Sequence, residues 1–425
     1  MTFGPRTFAP YLAAILVLWP IIAYMGAQGY TGAVAIAALL GLVFVRVKGI
    51  RIYAIACLAF IAWVVAAGTW SPEASDLLTG SVFAGSFSMD MPGVRFGLTA
   101  LAGLGVMVAT GAIAARSSET SLTVIMAAGC VQFVGVVVTA LFMPEILALL
   151  APMSDPVREM PQNLLRNATS FLLLMPLLLA WLWHRPGSDW GPLFAVSMYI
   201  LAVGSFLQIG NQTAAVGAVF MLVAMAIVKW LPRNGFKVIF TSLAFYIVAA
   251  PMLLSGAIAQ LRATGLPLPK SFFSRSYSWE LVGSKIGEAP LIGHGPEASH
   301  TWQDTFGDHP AWLADATARF GDSYAWEVYR VVPIHPHNMP IQIWAETGML
   351  GAVLASMFLF FLGWRLKPPE EWPPVSKYAA AGLAGACVAI CSFAYSMWNE
   401  AFWASIVIAS AIIFLRARQD GELAS

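Results

Sequence analysis

Runs of apolar residues close to the roughly 20 needed to cross a hydrocarbon core recur along this chain of 425 residues. They predict helices at about 10–28, 30–45, 52–68, 97–115, 121–143, 167–183, 190–208, 213–230, 238–258, 339–363, 378–396 and 399–415. The second run is short and the turn before it tight, which suits a hairpin. One long stretch, 259–338, breaks the pattern. It mixes six basic with eight acidic residues and holds five of the six histidines. Most connections are only a few residues long, so a segment of this length has a structure or task of its own. The expected architecture is an all-α integral membrane protein of about twelve transmembrane helices. It divides into 1–258 (spans one to nine), 259–338 (a helical loop) and 339–425 (spans ten to twelve and a tail).

Lysine and arginine orient the spans. With the N-terminus cytoplasmic, every inner loop carries a positive charge: Arg46, Lys48 and Arg51; Arg116; Arg185; Lys229, Arg233 and Lys237; Arg365, Lys367 and Lys377. Arg416 and Arg418 place the tail inside as well. The long loop then faces the extracytoplasmic side. An apolar first run without a small-residue cleavage site reads as an uncleaved span.

Within the loop, Ser274 is placed to cap a helix carrying Trp279, Val282 and Ile286 at i, i+3, i+7, with Arg275 at its opening and PLIGHG, 290–295, ending it. A second helix is expected over about 310–330, where Trp312, Ala316, Phe320 and Tyr324 repeat every fourth residue. Such helices suit the membrane surface, with their aromatic rings at headgroup level.

Composition narrows the function. Residues are 59% hydrophobic and 11% charged, far from a soluble domain's balance. A net charge of +1 offers nothing to nucleic acid. Cys57, Cys130, Cys387 and Cys391 lie in apolar runs; Cys387 and Cys391, one turn apart, read as small residues on a packing face. His294, His300 and His309 lack metal-ligand spacing, and no aspartate-rich pair stands in the outer segments.

The chemistry concentrates at the tenth span. Asn338 is a good N-cap, and Pro340 fits the first turn. His337 therefore precedes a helix N-terminus, where orphan N–H groups favour an anion. Asn338, Gln342 and Glu346 follow at i, i+4, i+8, a polar stripe descending about 12 Å at 1.5 Å per residue. A carboxylate at mid-membrane costs on the order of 3 kcal/mol, so the stripe must face protein or water. Gly348, Gly351 and Ala352 admit a close neighbouring helix. Two readings stand at this point: a hydrogen-bonded contact between helices, or a polar cavity opening outward with a histidine as base.

His337-Asn338, nine residues, then Gly348-x-x-Gly351 resembles the signature of the O-antigen ligase and O-antigen polymerase superfamily. Arg275 with Trp279, followed by PLIGHG, is similar to that family's loop-arginine motif. The resemblance implies a membrane glycosyltransferase of the bacterial inner membrane, working on the periplasmic face without metal or cofactor. Its donor is an undecaprenyl-diphosphate-linked glycan carried in membrane lipid. Its acceptor is lipid A–core in a ligase and another carrier-bound glycan in a polymerase; some relatives serve exopolysaccharide export. It implies His337 as general base, with His335 as nearest competitor, and Arg275 as a diphosphate ligand, for which a persistent forked cation suits. The sequence departs from the family at Gln212, where relatives often carry an arginine. Around VREMPQNLLRNATS, Arg158 and Asn167 align only loosely with a family pattern, with Arg166 as a possible compensating cation. Asn399-Glu400 is a candidate for lining the same cavity. Two other classes remain open: a transporter or flippase for a polyprenyl-linked sugar, and a non-catalytic partner of a polysaccharide synthase.

Overall fold

The computed structural model describes residues 29–42, 51–72, 91–113, 119–150, 160–185, 187–266, 268–321 and 325–419. The predicted first span, 10–28, and Arg158 lie outside them. Among the described residues the chain is helical, with one isolated antiparallel bridge, Thr305 to Arg330, and no strand. In chain order the helices are α1 (Gly29–Leu42), α2 (Ile52–Ala67), α3 (Pro92–Ile113), α4 (Glu119–Leu141), α5 (Met143–Leu150), α6 (Met160–Trp183) and α7 (Gly191–Ile209). There follow α8 (Gln212–Trp230), α9 (Gly235–Ala263), α10 (Lys270–Glu288), α11 (Pro310–Phe320), α12 (Met339–Arg365), α13 (Pro374–Phe393) and α14 (Glu400–Gln419).

Nine of these helices are long and apolar enough to cross a membrane, or ten if α4 and α5, bent by 96° at their junction, make one span. That is fewer than the twelve expected. The predicted second span appears as α1, an apolar helix too short to count, and the first cannot be compared.

Burial sorts the bundle. The apolar window of α6 is 83% buried and that of α9 only 17%, so α6 is the central post and α9 an outer stave. Small residues let α8 and α13 approach α6 and each other. A Cβ on Gly385 would stand 2.3 Å from the Phe220 carbonyl oxygen, and one on Gly217 2.5 Å from Leu172. The cysteines are free, and Cys387 and Cys391 pack against the core.

The long loop folds on an aromatic core of its own. Phe273, Tyr277, Phe306 and Trp326 are buried there, with Trp312 and Phe320 against them. Its first helix, α10, starts at Lys270 after Pro269, four residues before the expected cap. Pro269 presets the entering backbone, and Ser274 instead donates its hydroxyl to the Ser271 carbonyl at 3.2 Å. The second helix, α11, stops at Phe320, because Gly321 takes φ +71 and ends it; a 3-10 turn over Trp326–Val328 replaces the expected continuation.

The largest departure from expectation lies inside α12, which is broken at Gly348 (φ +67). The break frees backbone groups within a candidate membrane span, where unpaired ones cost several kcal/mol each. The segment 290–295 enters the gap and pairs them. His294 and Gly295 donate to the Ala345 and Glu346 carbonyls at 2.9 and 2.8 Å, while Met349 and Leu350 donate to the Pro290 and Leu291 carbonyls at 2.9 and 3.2 Å. Trp63 of α2 donates to the Thr347 carbonyl at 2.8 Å. PLIGHG thus does more than end a helix. It inserts into one.

Both glycines in this junction are required by contact. A Cβ on Gly348 would lie 2.3 Å from the Leu291 carbonyl, and one on Gly293 2.4 Å from that of Glu346. The expectation that Gly348 admits a neighbouring helix is therefore corrected: it admits a loop. Gly348→Ala is expected to lose about 1–3 kcal/mol from backbone strain alone, since φ +67 with ψ −172 is a conformation essentially confined to glycine, with the clash added. Thermal unfolding in detergent checks this against Gly256→Ala in α9, where a Cβ meets nothing within 4 Å; only the first should lower the midpoint.

Candidate active site

Just before the break, the polar stripe at the start of α12 is buried and fully engaged. Asn338 caps the helix, its Oδ1 accepting from the Ile341 N–H at 3.2 Å, and its Nδ2 donates to the Tyr246 hydroxyl at 3.0 Å and the Ser392 carbonyl at 3.3 Å. Gln342 accepts from the Met397 N–H at 2.9 Å and donates to the Ser396 hydroxyl at 3.0 Å and to Glu346 at 3.2 Å. Glu346 also accepts from the Glu297 N–H and the Ser299 hydroxyl, each at 2.7 Å, and from the Trp398 indole N–H. Its carboxylate, 0% exposed, ties together the inserted loop, α12 and the turn before α14. Buried charge survives only when partnered in this way.

His337 stands one residue above that stripe at φ +53, a left-handed conformation uncommon for a side-chain-bearing residue. Two contacts hold it. Its N–H donates to His335 Nδ1 at 3.1 Å, and its own Nδ1 lies 2.7 Å from the Ala394 carbonyl oxygen. A carbonyl only accepts, so Nδ1 bears the proton and Nε2 keeps its lone pair. The two imidazoles sit 4.1 Å apart by ring centre. Burial lowers the pKa of both. His337 is drawn down to about 4, with Arg275 adding to the effect and the Ala394 contact opposing it; His335 falls well below its ordinary value, with His337, His300 and Arg275 adding to burial.

Arg275 reaches this place through Trp279, one turn further along α10, whose indole N–H donates to the Pro336 carbonyl at 2.7 Å. The guanidinium is half-buried, which lowers its pKa from the ordinary value. Among the described residues no carboxylate pairs with it. Its neighbours Arg262 and Arg319, by contrast, are bound to Glu280 and Asp315.

One cavity of about 510 Å³ collects the parts. His337, Arg275, Gln212, Lys270, Ser274, Ser278 and Tyr329 all line it, and among the described residues its lining contains no acidic one. Gln212 is the first residue of α8, whose cap, Asn211, accepts from the Ala214 N–H at 2.9 Å and is anchored to α6 through the Leu165 carbonyl at 2.9 Å. Three of the expected site residues thus come together, in a pocket that carries two cations and a helix N-terminus.

Others go elsewhere. Arg166 lines a separate space of about 20 Å³ with Thr169, Ser170, Tyr395 and Asn399. Asn399 therefore does not share the main cavity, and Glu400 pairs with Arg95 at 2.9 Å. Gln342 and Glu346 lie behind the cavity wall, as supports. Of the loop histidines, His294 donates its Nε2–H to the Lys285 carbonyl at 2.9 Å, His309 stacks on Trp312 at 4.0 Å, and His300 approaches Glu297 at 4.0 Å. No group of three or more His, Cys, Asp or Glu side chains able to hold a metal occurs among the described residues.

Lys270, Ser278 and Tyr329 were missed from the sequence. The readable signal was the hydroxyl stripe Ser271, Ser274, Ser278 at i, i+3, i+7, which marks the face of α10 turned to the cavity.

Comparison with known proteins bears on the same region. Residues 164–356 match the family model described as O-antigen ligase. A Rickettsia conorii protein named "Putative polysaccharide ligase" is 26% identical over 167 residues, 38% of this chain and 36% of that one. A Rickettsia prowazekii protein of the same description is 27% identical over 162 residues, with the same coverages. The match thus spans about a third of the length of these relatives.

The electrostatics predict a titration. His337 should titrate near 4, and Arg275→Gln should raise that midpoint, because removing a cation favours the imidazolium. NMR of labelled histidine, with His337→Gln to assign the signal, reads both.

Proposed function

From the premise of the O-antigen ligase superfamily, which the match over 164–356 and the Rickettsia relatives support, we propose that this chain is a membrane glycosyltransferase. It moves a glycan from undecaprenyl diphosphate to an acceptor sugar hydroxyl on lipid A–core, at the periplasmic face of the bacterial inner membrane, with both termini cytoplasmic. The observation that carries the reading is the shared cavity: a histidine whose proton sits on Nδ1 beside two cations, with no acidic residue in the wall among the described residues.

In the reaction, His337 Nε2 takes the proton from the acceptor hydroxyl as its oxygen attacks the anomeric carbon. The bond from that carbon to the diphosphate breaks, and the electron pair leaves with the diphosphate. Arg275 and Lys270 hold the departing anion, and the Gln212 side-chain amide offers a neutral donor. Attack from the far side inverts the anomeric centre. Donor binding also readies the base. The diphosphate's negative charge offsets Arg275, so the pKa of His337 rises from about 4 toward the range of a working base.

The Arg166 space, a cation beside a water-sized cavity, fits a supporting role near the headgroups. Arg158 is left as a further candidate for the same anion.

Incubation of the purified protein with a carrier-linked glycan, a lipid A–core acceptor and a chelator tests this. Wild type should modify the acceptor. His337→Ala should lower the rate about 10²–10⁴-fold, and Arg275→Ala and Lys270→Ala should lower it with a weaker dependence on salt. A lengthened donor with unmodified acceptor would make the protein a polymerase. No product of either kind from an authentic donor would return it to the transporter or partner class.

A further inference from the structure

The turn that orients His337 is not self-supporting. Helix α13 ends at Phe393, the Ala394 N–H making its last helical bond to the Ile390 carbonyl at 3.0 Å, and residues 395–398 lie outside both helices before α14 begins at Glu400. Ala394, in the middle of nothing regular (φ −130, ψ −74), presents its carbonyl to His337 Nδ1. The Ile390 bond holds its N–H side, and what fixes the chain on either side of it lies on α12. Asn338 grips the chain on one side, at the Ser392 carbonyl. Gln342 grips it on the other, at the Met397 N–H and the Ser396 hydroxyl, and Ser396 in turn accepts from the Trp398 N–H at 3.2 Å. Glu346 holds the far end through the Trp398 indole. The three residues repeat at every fourth position, so one face of one helix clamps the whole turn.

We infer that Gln342 is a positioning residue for His337: by clamping the turn over Ser396–Met397 it aims the Ala394 carbonyl, and that carbonyl holds His337 in the tautomer whose Nε2 is free to take a proton. Gln342 is 1% exposed and does not line the cavity, so it touches no substrate. Both of its side-chain atoms are used, and in the sense only an amide can supply: the oxygen accepts from a backbone N–H while the nitrogen donates to two oxygens. A carboxylate would lose both donations, and an apolar side chain would lose all three bonds. A histidine in water favours the Nε2–H tautomer, which leaves no lone pair at Nε2. Without the Ala394 carbonyl at 2.7 Å, the ring reverts to that form and can flip. The effect on turnover rests on His337 acting as base; the effect on the tautomer does not.

The experiment uses the full chain in detergent with ¹⁵N-labelled histidine, the His337 signal being the one lost in His337→Gln. Gln342→Met keeps the volume and burial of the side chain and deletes its hydrogen bonds. Ser396→Ala deletes one of the partners with little effect on packing. Wild type should show the Nδ1–H tautomer at His337. Gln342→Met should shift it to a mixture rich in Nε2–H, and in the transfer assay kcat should fall about 10²-fold, the scale of a misplaced reacting group, with the KM for the donor unchanged. Ser396→Ala should move both in the same direction by less. An unchanged His337 tautomer in a folded Gln342→Met protein would overturn the inference, and so would a rise in donor KM with kcat preserved. Should Gln342→Met fail to fold, a wild-type tautomer and kcat in Ser396→Ala would overturn it equally. The tautomer is read without turnover, so full transfer by His337→Gln would remove the base role and leave this result legible.

Discussion

A helix broken inside a membrane has to return its backbone groups to partners, and the rest of this structure follows from how that is done at Gly348. Carbonyls of Ala345, Glu346 and Thr347 and the N–H groups of Met349 and Leu350 all lose their helical mates, and all find others in the 290–295 segment or in Trp63. The pairing draws the long loop down into the bundle. Gly293 and Gly348 face one another's backbones at distances no Cβ allows, so the junction has one register. This insertion, with the Trp279 bond to the Pro336 carbonyl and the 297–299 bonds to Glu346, locates Arg275 and the rest of the loop relative to α12.

From there the architecture divides into a wall and a cavity. The buried stripe of α12 faces away from the cavity and holds the turn before α14. His337, at the top of the same helix, faces into it. Placing the titrating group at a helix entrance with the supporting polar groups one and two turns below lets one short segment supply both the chemistry and its scaffold. Among the described residues no acid lines the cavity, which suits a diphosphate, and none pairs with Arg275, whereas its neighbouring arginines are bound to carboxylates.

Much of this was legible in the sequence, and the limits have physical causes. Apolar runs located the spans because a membrane span needs a continuous apolar length; in the loop, α10 begins four residues before its expected cap, after Pro269, and α11 stops about ten residues short of its expected end, at Gly321. The N-cap at Asn338 and the polar stripe at 338, 342 and 346 were readable from spacing alone; that the stripe faces protein and not a water-filled cavity was not. The break at Gly348 was not, since a glycine inside an apolar run reads equally as close packing, and only the partner loop reveals which. Arg275 and Gln212 are 63 positions apart in the chain, so their meeting in one cavity is a tertiary fact. The Ala394 carbonyl, which decides how His337 is held, belongs to a backbone group, and no residue type announces it.

The central claim is that Arg275, Lys270 and His337 serve one bound donor. An experimental structure with an undecaprenyl-diphosphate glycan bound tests it most directly. The diphosphate should lie within hydrogen-bonding distance of Arg275 and Lys270, with His337 Nε2 open to the anomeric carbon's far side. A diphosphate seated instead at Arg166, with the 510 Å³ cavity empty, would contradict it.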